Sequence, residues 1–455
     1  MRFPKTSIYL FAVVLPLVTS PFSEGQAYFD LGYKLQSDDA FKKSFLGSYG
    51  VNSENEPSIS EVESVVLEKV SKMFEVNTAY AQRMLETLVT DEAGVSATFN
   101  YLLANLYFEN EEYLLAETEY KKAIEKFPSF QRAWNNLGVL LMRGEDTEQA
   151  MKAFSRSIEL GDTSAGTYGR LAYCHYELKN FLSAEAAYTQ AILHDPRNPQ
   201  WLEGKVEVYM ASERFEQAAL MIDELITRYP GAPNYWLAQS NAYLALDKNK
   251  LAARNLEVVH KMGKAGSNEL YQLGRLYSLL GFGELAFRRF ELTDRLNERY
   301  LLESALVLQD RGETSTATSI LNLLKKPVEE MSPEDSSLYF RLQASLATNS
   351  GDSEKAIEYW ERAREQDPLN GEHLLRLAAL YLKQQQREKA YLLAERAEQD
   401  ERTTFQALLT RSKLLVEDRK YSEAQQLLSK ALQLQSSESL QNLYTRVVEA
   451  SAQTR

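Results

Sequence analysis

Four histidines, one cysteine and a few adjacent carboxylates are the side chains here whose types would suit catalysis or metal binding. Two metal ligands share a helix face only at a spacing of three or four residues. His175, His194, His260 and His373 stand singly, none at that spacing, so the sequence predicts no metal site. Glu111 beside Glu112 and Asp38 beside Asp39 sit in polar turns. A general acid needs a carboxyl in a shaped, partly dry pocket, and solvated surface charge accounts better for these pairs. No phosphate loop, dinucleotide glycine fingerprint, G-x-S-x-G elbow or H-E-x-x-H helix occurs. Cys174 lies in the apolar stretch "RLAYCHYEL", which predicts a small core residue rather than a reactive thiol. As the single cysteine it also leaves no internal disulfide to form. The chemistry-bearing residues thus predict no enzyme and no cofactor.

The elements that carry these residues repeat. Ala184, Tyr188 and Ala191 in "NFLSAEAAYTQAILHDP" share one helical face before Pro196 stops the helix. The alanine recurs at Ala116, Ala150, Ala184, Ala218, Ala252 and Ala286, always 34 residues apart. It returns with the same step at Ala356, Ala390 and Ala424, and Ala317 marks one irregular unit between the two series. Four residues after each alanine stands a residue that is almost always large and apolar, such as Tyr120, Phe154, Tyr188 and Phe290. Twelve before it stands a small one, such as Ala104, Gly138, Ala172 and Gly274. Small residues at both places let two antiparallel helices approach closely, while the large ones are expected to fill the groove toward the next pair. With only 20 Gly and 12 Pro in 455 residues, helix is favoured nearly throughout. A net charge of −13 with no basic run excludes nucleic acid as the main partner.

"WNNLGVLL" at Trp134 to Leu141 with Ala150 and Phe154, and "LYQLGRLY" at Leu270 to Tyr277 with Ala286 and Phe290, resemble the tetratricopeptide repeat. Pro128, Pro196, Pro230 and Pro368 close four units as that pattern requires. The resemblance covers about residues 97 to 438 and implies an all-α, right-handed superhelical solenoid of about ten antiparallel helix hairpins. It also implies a concave groove lined by the second, fifth, ninth, twelfth and thirteenth residues of each first helix. In this sequence those positions supply Tyr101, Asn105, Phe108, Arg132, Asn135, Met142, Arg143, Tyr173, Tyr176, Glu203, Glu207, Met210, Asn241, Tyr271 and Arg275. Rings, methionines and amides suit an extended peptide, with Asn105 and Asn135 the best placed for backbone contacts. The lysines of the clamp that some members use for a carboxyl terminus are missing. At the same positions farther on stand Leu302, Leu306, Leu375, Ala379, Leu382 and Leu409, open to a partner helix, the other lobe or a homo-oligomer.

The reading along the chain is a signal peptide at 1–27, an N-terminal cap or docking segment at 28–60 and a degenerate helical hairpin at 61–96, with Ala81 one residue out of register. An N-terminal lobe follows at 97–324, then an acidic, Pro-containing link at 325–337, a C-terminal lobe at 338–438 and a C-terminal helix or tail at 439–455. The link reads as a loop insertion or as a hinge, and Ser332 in "SPED" reads as a helix cap. Arg2 and Lys5 before the apolar run Ile8–Val18, with Gly25 and Ala27 at the −3 and −1 places, mark an export signal. That run is short of the roughly 20 residues of a membrane span, so cleavage is expected ahead of an uncleaved inner-membrane anchor. The expectation is a periplasmic, non-enzymatic scaffold that binds protein segments in a cell-envelope complex. The block "SFLGSYGV" before an N-E-P segment resembles exported repeat proteins that accompany TonB and ExbB/ExbD systems. The alternative is an accessory of secretion or polysaccharide export that binds a glycan or an enzyme complex.

Overall fold

The computed structural model describes residues 56–90, 94–293 and 297–453. The expected signal peptide, and the docking segment as far as residue 55, lie outside the described residues. Among the described residues the chain is all-α, from helix Glu61–Val76 to helix Glu438–Gln453, with one 3-10 turn at Val328–Glu330 and no strand. It divides into two compact units, one ending at Asn255 and one beginning at Leu256, so the 325–337 link lies inside the second.

In the first unit the helices pair as antiparallel hairpins, beginning with Ala97–Glu109 and Tyr113–Lys126. Further first helices are Gln131–Arg143, Ala165–Glu177, Pro199–Ala211 and Pro233–Ala245, which hold the 34-residue register read from the alanines. Local chemistry sets their starts. Ser96, Ser164 and Asn198 accept N–H bonds as N-caps, and Pro199 and Pro233 open their helices, where the missing N–H costs nothing. From Ala97 on, one residue between the two helices of each hairpin takes a left-handed conformation. In this unit it is Glu111, Glu145, Lys179, Glu213 and Asp247, at φ 55 to 64°. The hairpin turn thus depends on backbone strain that the composition at these sites conceals.

Each hairpin closes on its alanine. All ten, from Ala116 to Ala424, are fully buried. A Cβ on Gly138 would lie 2.7 Å from the Phe154 ring, and one on Gly274 2.5 Å from Phe290. At these two places the large residue packs on the small residue of its own hairpin, while Tyr188 reaches the next pair as the spacing suggested: a Cβ on Gly204 would lie 2.3 Å from its ring. Neighbouring hairpins are tied by a tyrosine nine residues before the alanine, whose hydroxyl donates to a glutamate of the preceding second helix. The distances are 3.0 Å for Tyr107 to Glu86, 2.7 Å for Tyr209 to Glu185, 2.9 Å for Tyr277 to Glu257 and 2.9 Å for Tyr381 to Glu361. The first of these bonds ties the early hairpin Glu61–Val76 and Thr78–Thr90 to the array, with Ala81 and Leu85 fully buried despite the slipped register.

The second unit begins within helix Asn249–Lys261, continues with Ser267–Leu280 and contains the irregular stretch. Two of its second helices are short, Gly283–Glu291 and Thr314–Leu321, and the compensating helix Pro333–Ser350 is long. Ser332 caps that helix by accepting the Asp335 N–H at 3.1 Å, with Pro333 in its first turn, as the sequence predicts. The final helix, Glu438–Gln453, buries Leu440 and Val447 in the last apolar cluster and so covers the end of the array.

Candidate binding groove

The fifth residue of each first helix faces the next hairpin. Tyr101 is buried against Phe130, with ring centroids 4.9 Å apart, and its hydroxyl accepts from Asn136 Nδ2 at 3.1 Å. Burial raises the Tyr101 pKa above its ordinary value. Asn135 Nδ2 donates to Asp162 at 3.0 Å and to Thr167. Asp162 is buried and also accepts from Ser157, Thr167 and the Ser164 N–H. Burial alone would raise its carboxyl, but bonds from Thr167, Ser164 and Ser157 hold it below the ordinary value. At the equivalent place in the third hairpin stands Gly169, where a Cβ would lie 2.1 Å from the Trp201 ring. Glu203 accepts from Tyr235 at 2.5 Å, and the Tyr271 hydroxyl accepts the Asn297 N–H.

Tyr101, Asn135, Glu203 and Tyr271 are therefore joints between hairpins. For the buried Tyr101 and Tyr271 this corrects the expectation that they line an open groove; Asn135 and Glu203 are half-buried. Asn105 is corrected likewise: it is fully buried, and its Oδ1 accepts from Tyr120 and from Asn136 Nδ2 at 2.9 Å. Glu207 and Met210 are buried as well. Arg275 pairs with Glu303 at 3.4 Å and lies over the Tyr300 ring at 4.3 Å. The apolar places of the second unit follow the same logic. Leu302 and Leu306 are buried in a cluster that includes Leu342 and Leu338, so this chain's own helices cover them. Leu375, Leu382 and Leu409 are half-buried and Ala379 is exposed.

What remains partly open sits at the ninth and twelfth places. Phe108, Met142 and Tyr176 hold the twelfth place in three consecutive hairpins and are half-buried, as are Tyr173 and Asn241 at the ninth. Phe108 meets Tyr113 edge-on at 5.8 Å, exposed Arg143 lies 4.6 Å over the same Tyr113 ring, and Tyr176 packs on Phe181 at 6.2 Å. Burial and the neighbouring Glu177 push the Tyr173 hydroxyl up to about 12, so it stays a neutral donor. Cys174 is fully buried, and burial pushes its thiol up to about 12, which suits a core residue.

Arg132, at the second place, is occupied. Its Nε lies 2.8 Å from Glu56 Oε1, on the segment just before helix Glu61–Val76. Pro57 beside it is buried, and Ser58 O accepts from Ser96 Oγ at 3.1 Å. Positional reasoning missed Glu56, Asn136 and Asp162 because none holds one of the five groove places. The only hint was the N-E-P segment itself. Among the described residues no group of three or more His, Cys, Asp or Glu is placed to hold a metal. No helix there is long and apolar enough to cross a membrane.

Tetratricopeptide-repeat family models match residues 101–165 and 341–403, and residues 175–242. The chain is 26% identical over 100 residues to Hsp70-Hsp90 organizing protein 3 of Arabidopsis thaliana, covering 22% of this chain and 18% of that protein. It is 26% identical over 143 residues to cellulose synthase operon protein C of Pseudomonas fluorescens (strain SBW25), covering 29% and 11%. Against protein O-mannosyl-transferase TMTC3 of Mus musculus it is 22% identical over 264 residues, covering 53% and 28%. These matches span less than a third of each relative's length. Among solved structures, the C-terminal part of a TPR repeat-containing protein from Cytophaga hutchinsonii is similar at 16% identity and a TM-score of 0.38, covering 68% of this chain and 98% of that one. With the family matches falling on hairpins that keep the 34-residue register, the chain carries tetratricopeptide repeats in an all-α array.

Proposed function

We propose that this chain is a non-catalytic scaffold that holds an extended segment of a protein partner along Phe108, Met142, Tyr173, Tyr176 and Asn241. The observation that carries this reading is the division of labour among first-helix positions. Fifth-place residues lock consecutive hairpins together, while twelfth-place rings and a methionine stay partly exposed in consecutive units. A surface held rigid in this way loses little freedom on binding, and rings with methionine accept varied side chains. The features of residues 1–27 support export and a periplasmic location, and the "SFLGSYGV" and N-E-P layout supports a place in a cell-envelope complex of the TonB type.

Photocrosslinking tests it. A photoreactive phenylalanine analogue at Tyr176 is expected to capture a protein segment in intact cells, whereas the same analogue at exposed Leu182 on a second helix captures none. Equal capture at both places, or none at Tyr176, contradicts the reading. The second reading, a glycan-handling accessory of export, draws on the likeness to cellulose synthase operon protein C and on tyrosines near carboxylates. It is the weaker of the two here, because Glu207 is buried and Glu203 is bonded to Tyr235, which withdraws both carboxylates from a sugar.

A further inference from the structure

The first unit holds a piece of its own chain at Arg132, one of the places that the repeat positions assign to the groove. Glu56 and Arg132 are only 14% and 26% exposed, and both lie close enough to the Tyr101 hydroxyl to act on it electrostatically. Pro57 is buried, and Ser96 fastens the strand that follows, through its Oγ to Ser58 O and its N–H to Glu63 Oε1 at 2.8 Å. Ser60 then caps helix Glu61–Val76 in a capping box with Glu63. Glu56 thus lies against the second place of one first helix and near the fifth-place Tyr101 of the one before it.

The fit is incomplete. Glu56 Oε2 is buried with no hydrogen-bond partner among the described residues, so the carboxylate is only half paired. A guanidinium binds a carboxylate best through two parallel bonds, and a buried oxygen left unpaired loses most of what the ion pair gains. Burial accordingly raises the Glu56 carboxyl more than Arg132 lowers it. Such a contact persists because the segment is tethered a few residues away, at high effective concentration, and not because the pairing is strong.

We propose that Arg132, with Tyr101 beside it, is a carboxylate seat for an acidic Glu–Pro or Asp–Pro segment of a partner protein, and that Glu56–Pro57 occupies this seat in cis until that segment displaces it. The proposal rests on the groove reading and names the chemistry that one end of the groove recognises.

The test uses the full chain and a fluorescent peptide of residues 51–60, VNSENEPSIS, read by anisotropy. The E56Q protein is expected to bind the peptide at least about 10-fold more tightly than the parent, because its own competitor is weakened. The peptide carrying Gln in place of Glu56 is expected to bind neither protein, and adding Arg132→Gln to E56Q is expected to abolish binding while the helical circular dichroism is retained. Equal binding to the parent and E56Q, or no binding to either folded protein, overturns the proposal. So does a concentration-dependent dimer of the parent that E56Q lacks, since a second copy would then supply Glu56. Crosslinking at Tyr176 is read separately: capture there with no peptide binding leaves the groove standing and removes only the seat.

Discussion

Asn135 and Leu302 hold the same place, fifth in their first helices, one in each compact unit. In its hairpin of the first unit Asn135 makes the place polar and reaches into a buried carboxylate network around Asp162. In its hairpin of the second unit Leu302 makes it apolar and is fully buried among other leucines. One register position can therefore join hairpins by either chemistry, provided that the facing residues match. The spacing of the repeat fixes where a joint falls, and the neighbour across it fixes of what kind.

The sharpest way to break this comparison is to exchange the two chemistries. Leu302→Asn should destabilise the second unit by about 4 kcal/mol, since it removes a buried leucine and leaves an amide unpaired. Denaturant melts measure it, and a loss under about 1 kcal/mol would show that the place is open after all.

The second unit should also respond more to acid. His373 is buried beside the Trp360 ring, at 5.5 Å, and its Nδ1 has no hydrogen-bond partner among the described residues. Burial, aided by Arg341, lowers its pKa from 6.5 to about 4. The unfolded chain thus takes up the proton at higher pH than the folded one. Stability is whole above pH 6.5 and is lost as the pH falls from 6.5 to 4, by about 3 kcal/mol in all. Melting temperatures across that range should fall for the parent and much less for His373→Gln.

The reverse exchange should be milder. Asn135→Leu removes one donor to Asp162 but leaves Ser157, Thr167 and the Ser164 N–H, so about 1–2 kcal/mol is expected in the same melts. The smallest effect lies in the turns, where Lys179 at φ 58° does what Gly281 and Gly351 do elsewhere in the array. Lys179→Gly relieves left-handed strain at some entropic cost and should stabilise the first unit by about 0.5 kcal/mol.

Much of this architecture was legible before any coordinates. The alanine series placed the hairpins, and Ser332 announced its helix. The groove was only half legible. Helical spacing shows which residues share a face, and so it grouped Tyr101, Asn135 and Glu203 with Met142 and Tyr176. It does not show what stands opposite. The partners Asn136, Thr167 and Tyr235 lie roughly one repeat away and belong to different helix positions, so no periodicity in one helix points to them. Glu56 is harder still, because it lies before the array and meets Arg132 only after the hairpins have stacked.

The central claim is that the half-buried Phe108, Met142, Tyr173, Tyr176 and Asn241 of the first unit hold a protein segment while fifth-place residues hold the unit together. The most direct test is the affinity of a partner captured at Tyr176 for the chain carrying Phe108→Ala, Met142→Ala, Tyr173→Ala and Tyr176→Ala. The account predicts that Kd rises about 100-fold or more, as removal of several ring anchors should cause, while the helical circular dichroism is retained. An unchanged Kd on a folded variant would contradict it.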